Sequence, residues 1–140
     1  MTTAVLLLSV SGSSSAQSKR IRKYVIVPVW RIQLLDSAGN PVKNAVVRQI
    51  WQDYDVEDNS HEEDLETDDH GYVRFPERSL KTSPKAKALG RARHRRELGV
   101  HASFGPNAYI LAWADELEGF INYKVGEPLP TQLIMRPKKM

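Results

Sequence analysis

Ten of the seventeen carboxylates in this chain fall between Asp53 and Asp69, and seven of its twenty cations follow between Lys81 and Arg96. Oxygen ligands at that density could hold calcium, which takes six to eight of them from a flexible loop; Asp53, Asp55, Asp58, Glu63 and Asp64 are the candidates. The spacing does not match an EF-hand, since the sixth position counted from Asp53 or from Asp64 is another aspartate and not glycine. The competing reading is a solvated acidic loop whose charge is partly met by the basic segment that follows. Blocks of opposite sign relieve their own repulsion when they approach within a Debye length of about 8 Å. We therefore expect a loop-to-helix tether made of exposed pairs worth about 0.2–1 kcal/mol each, with no catalytic role.

Three further constellations carry potential chemistry. His61 and His70 flank the acidic stretch and could bind zinc, but they stand nine positions apart, which is neither an i, i+4 pair nor a metalloprotease spacing. Ser103 and His101 lie two apart in HASFGPN without the glycine-x-serine-x-glycine elbow of a nucleophile. Lys87, Arg91 and Arg95 recur one helical turn apart and are the candidates for binding an anion such as a phosphate. No aromatic residue occurs between positions 79 and 100 for base stacking, so a basic nucleic-acid binder is only the second alternative. No catalytic, cofactor or metal site is assigned.

Behind these residues stands an ordinary globular composition: 140 residues, 41% hydrophobic, 26% charged, net charge +3. About one domain is expected from that length. The absence of cysteine excludes disulfides, thiolate nucleophiles and cysteine-ligated metal centres. The apolar run Ala4 to Val10 is too short for a spanning helix, which needs roughly 20 apolar residues. Followed by small residues at Ser14 and Ala16, it reads as a secretory signal remnant cleaved after Ala16, although no Lys or Arg precedes it. Residues 1–23 are thus a leader and basic linker, residues 24–138 the domain, and the expected location is secreted or periplasmic, with the cytoplasm as the alternative.

Within the domain, alternation predicts one strand from Tyr24 to Leu35, a second from Ala45 to Tyr54, and others at Tyr72–Phe75, Ala108–Ala114, Phe120–Val125 and Thr131–Met135. A short strand around Leu65–Thr67 makes seven; the rest of 53–69 is loop. Pro84 opens an Ala/Arg/Lys/Leu-rich stretch that predicts a helix to about residue 98. Gly90 inside it costs about 1 kcal/mol relative to Ala, so this helix must lean on the domain. Trp30, Ile32, Leu34, Val47, Trp51, Phe75, Ile110, Ala112 and Ile121 are the expected inter-sheet core. The facing parity of the two-sided apolar strand at 108–114 is left open.

Two turns carry a family resemblance. The stretch LLDSAGNPVKNAVV, followed some twenty residues later by ETDDHGYVRF, resembles the carboxypeptidase regulatory-like domain of the transthyretin-like β-sandwich group over residues 25–76. That resemblance implies a mainly β, seven-stranded transthyretin-like or immunoglobulin-like sandwich, here with one helical insertion, acting as a non-catalytic binding or structural module. Its partner would be a protein or a cell-envelope component of unknown identity. A hydrolase of the same fold is the first alternative, but the tyrosine-arginine-glycine-serine tail of the hydroxyisourate hydrolases is replaced here by Met135-Arg136-Pro137-Lys138-Lys139-Met140, and no His-x-His pairing of the intradiol dioxygenases occurs.

Overall fold

A computed structural model describes residues 18–139; the leader and its cleavage site lie outside the described residues. The chain is mainly β, with three sheets and one α-helix among those residues. Among the described residues ten strands stand where seven were expected: β1 (Arg22–Val27), β2 (Trp30–Leu35), β3 (Val46–Asp53), β4 (His61–Glu66), β5 (Tyr72–Phe75), β6 (Arg78–Thr82), β7 (Pro106–Ala114), β8 (Leu117–Tyr123), β9 (Gln132–Ile134) and β10 (Arg136–Pro137). The helix α1 (Pro84–Leu98) follows β6. No helix among the described residues is long and apolar enough to cross a membrane.

The corrections have local causes. Pro28 has no N–H to give a ladder, so the single strand expected from Tyr24 to Leu35 is two. β1 pairs with β6, and β2 pairs with β5 and β9. Arg22 and Lys23, assigned to the linker, lie in β1 opposite Thr82 and Lys81. Most of the supposed acidic loop beyond residue 60 is β4, an edge strand whose Asp64 stands opposite Arg48 of β3. An edge strand needs little buried surface, and charged residues there discourage pairing with another chain.

The five-stranded sheet β10-β8-β7-β3-β4 and the three-stranded sheet β5-β2-β9 share one apolar cluster. Alternation sends Trp30, Ile32 and Leu34 from β2, Phe75 from β5, Val47 from β3, and Ala108, Ile110 and Ala112 from β7 into it. Trp51 and Ile121 are half-buried at its margin instead of central. The Trp30 indole Nε1–H is satisfied by the Pro130 carbonyl at 2.8 Å, as a buried donor requires.

Both turns behind the family resemblance are tied by their aspartates. Asp36 Oδ1 accepts from the Ala38 and Asn40 amides at 3.0 and 2.9 Å. Asp68 Oδ1 accepts from His70 and Tyr72, each at 2.9 Å. They also interlock: the Leu34 amide donates to Gly71 O at 2.8 Å, and the Val42 amide donates to Leu34 O at 2.9 Å. Gly71 has φ +79°, and a Cβ there would stand 2.6 Å from Leu34 O, so both conformation and close approach demand glycine.

Candidate functional site

Ser83 begins α1 by accepting the Ala86 amide at 3.1 Å, and Pro84 occupies the first turn, the start chemistry expected of a helix. No residue of α1 is buried, so apolar packing does not hold it. Asp53 and Asp55, at the end of β3 and in the turn beyond, are 1% and 2% exposed and hold it instead. Lys87 Nζ reaches Asp53 at 2.7 Å and Asp55 at 3.6 Å; Arg91 makes two contacts of 3.4 Å to Asp55. Asp55 Oδ1 also accepts the Gly105 amide at 3.1 Å, and the Asp55 amide donates to Asp53 Oδ1 at 2.9 Å. Gly90 lies directly against the Asp55 backbone, where any Cβ would overlap the Asp55 carbonyl oxygen. Arg93 to Asp58 at 3.0 Å is the outer, exposed contact.

The acidic and basic blocks therefore meet, but the inner carboxylates are buried, with Lys87 part-buried and Arg91 half-exposed, where an exposed tether was expected. The anion-binding stripe is also redistributed. Lys87 and Arg91 point at carboxylates of their own chain, while Arg95, with Arg91, lies over the Phe104 ring at 5.6 and 5.2 Å respectively. All five calcium candidates face cations: Asp53, Asp55 and Asp58 as above, Glu63 with Arg78 at 3.0 Å, and Asp64 with Arg48 at 2.8 Å. The Arg48 hydrogen bond lowers the Asp64 carboxyl below its ordinary range. Among the described residues no group of three or more His, Asp or Glu side chains is arranged to hold a metal.

His61 and His70 are not brought together. His61 contacts Glu57 and stacks on Trp51 with 5.4 Å between ring centroids. His70 sits in the Asp68 turn, its carbonyl accepting from Gln33 Nε2 at 3.0 Å. Ser103 and His101 do share a recess of about 280 Å³ with His94, Tyr54, Glu57 and Asp58. His94 Nδ1 is buried there without a hydrogen-bond partner, and no hydrogen bond joins Ser103 to either histidine among the described residues.

A larger cavity, about 710 Å³, opens on the outer face of the five-stranded sheet. Register explains its composition. On β7 the inward residues are Ala108, Ile110 and Ala112, so Tyr109, Leu111 and Trp113 face outward; across β8 their partners are Asn122, Phe120 and Glu118, and Glu118 stands opposite Arg136 of β10. On the other side Val46, Arg48 and Ile50 of β3 continue the rows, then Glu66, Asp64 and Glu62 of β4. One half of this face is laced with ion pairs, and the other is apolar with a basic end. Tyr109 and Phe120 touch at 5.8 Å between centroids, while Phe120 and Ile134 remain 54% and 44% exposed. The signal for this groove was the apolarity of both faces of residues 108–114: one face fills the core, and the other must have a different use.

No protein-family model and no curated protein matches the chain.

Proposed function

We propose that this chain is a non-catalytic binding module of the transthyretin-like, carboxypeptidase regulatory-like kind, exported to work outside the cytoplasm, and that it binds through the outer face of its five-stranded sheet. The observation that carries this reading is the concave apolar surface of Leu111, Trp113, Phe120 and Ile134 held on strands. Its volume falls in the roughly 300–1,000 Å³ range of small-molecule sites. The interlocked Asp36 and Asp68 turns support the family reading, because they tie together the two segments from which the resemblance was drawn. The principal acid–base cluster supports a non-catalytic role, because Asp53, Asp55, Lys87 and Arg91 satisfy one another in fastening α1.

The test uses a neutral fluorescent apolar probe, N-phenyl-1-naphthylamine, titrated into the full chain. Saturable fluorescence enhancement at one site, abolished by Phe120→Asp with the melting temperature kept, is the expected result. No enhancement, or enhancement indifferent to Phe120→Asp, would refute the groove as a binding site.

The recess of His94, His101 and Ser103 favours a second reading, a hydrolase of the same fold. Turnover of p-nitrophenyl acetate above the buffer rate, lost in Ser103→Ala, would support it; equal rates in both proteins would remove it.

A further inference from the structure

We infer that the outer-sheet groove accepts a single-chain amphiphile with a carboxylate head, the chain lying over Leu111, Trp113, Phe120 and Ile134 and the head meeting Arg136 and Lys139. This deepens the binding-module reading and rests on it. The chemistry follows from how the groove ends. The chain leaves β9 after Ile134, buries Met135 completely, and joins the opposite sheet as β10, which brings Ile134, Arg136 and Lys139 to the rim of one cavity. The floor is apolar at Leu111, Phe120 and Trp113, with Glu118 closing the second row and the Arg48 guanidinium over the Trp113 ring at 5.2 Å.

Charge at the rim selects the head group. Two cations, Arg136 and Lys139, face one carboxylate, Glu118, and Glu118 Oε1 accepts from the Lys139 backbone amide at 3.5 Å. Arg136 stands across the strand pair from Glu118, yet no ion pair joins their side chains among the described residues. On the other half of the sheet and in the turn beyond it, cations do have carboxylate partners: Arg48 with Asp64, Arg78 with Glu63, Lys87 with Asp53. The planar guanidinium of Arg136 can take both oxygens of a carboxylate at once, a fit that a point-charge ammonium lacks. A cationic head would meet the same rim with its like charge. Exposed Phe120 and Ile134 leave room for a flexible chain to enter from solvent, since neither is covered by another element.

The experiment displaces bound N-phenyl-1-naphthylamine from the full-length protein with dodecanoate or dodecyltrimethylammonium, which share a tail and differ in head charge, both as monomers at pH 7. Dodecanoate is expected to compete at a concentration at least ten-fold lower. In the Arg136→Gln, Lys139→Gln double variant the two should come within three-fold, with probe uptake itself unchanged. Equal competition in the wild type, or a preference that survives the double variant, overturns the carboxylate assignment while the binding-module reading stands on the probe. A protein that takes up no probe and sediments as a dimer, returning to monomer with Phe120→Asp, overturns the assignment by making a second copy the occupant.

Discussion

The two halves of the five-stranded sheet use charge in opposite ways. On the β3–β4 half and in the turn beyond it, nearly every carboxylate has a cation from the same chain, and the pairs fasten α1 where no apolar side chain is buried. On the β7–β8–β10 half, apolar side chains face outward and the rim cations Arg136 and Lys139 lie beside them. An internal partner makes a charge architectural, because breaking a buried pair leaves its mate desolvated and alone. A cation beside open apolar surface has no such duty to the fold.

The largest disturbance should come from Asp55→Ala. Lys87 keeps Asp53 and Arg91 is half-exposed, so no cation is stranded, but the buried Gly105 amide loses its acceptor; the cost should be about 3 kcal/mol, the upper end for an unsatisfied buried group. Urea denaturation should show that loss, whereas a cost under about 1 kcal/mol, the ordinary worth of an exposed pair, would erase the contrast between the halves. Gly90→Ala comes next. Helix propensity alone predicts a gain of about 1 kcal/mol, but the overlap with Asp55 O should turn it into a loss in the 1–3 kcal/mol range usual for overpacking. A stabilised variant would mean that α1 is not seated against this turn.

Acid should act on the paired half through Asp64, and on the turn before β5 through Asp68. Arg48 lowers the Asp64 carboxyl, and the Tyr72 and His70 backbone amides lower that of Asp68. A depressed folded-state pKa contributes stability above the unfolded value near 4, which is lost as the pH falls through the folded one. Stability measured from pH 7 to pH 3 should drop below about pH 4. The Asp64→Asn, Asp68→Asn double variant should drop less, and an identical acid slope would count against these two groups. Replacing Arg91, Arg93, Arg95 and Arg96 with Gln should lower the melting temperature by a few degrees at low salt and less at high salt, since the outer pairs are screened. Melting that is indifferent to salt would show that these arginines act by packing alone. Phe120→Asp should change stability least, within about 0.5 kcal/mol, as a residue that serves binding and not folding; a marked loss of stability would make the outer face part of the scaffold.

Much of this was legible along the chain. Pro84 and the Ala/Arg/Lys/Leu run announced α1, and the two aspartate turns announced themselves by type and spacing. β4 was legible only at its end, where the short strand expected around Leu65–Thr67 overlaps it; the rest of HEEDLE has no apolar alternation, and it is a strand because β3 offers it Arg48 and a free edge. β6 escaped notice because RSLKT is short and mostly polar, and its partner β1 had been joined to β2 across Pro28. Of the proposed sites, the charge blocks were visible as blocks, but which cation meets which carboxylate was not.

Alternation, turn residues, the helix start and the absence of cysteine are local properties, and the sequence alone determined them because each depends on neighbours a few positions away. Tertiary structure decided what depends on distant pairing. It chose which face of residues 108–114 turns inward, since a one-residue change of register exchanges the two faces of a strand. It buried Asp53 and Asp55 and aimed Lys87 at them across 34 and 32 residues of chain. And it carried the last strand from one sheet to the other, so that Arg136 and Lys139 border an apolar groove whose other walls lie about twenty residues earlier.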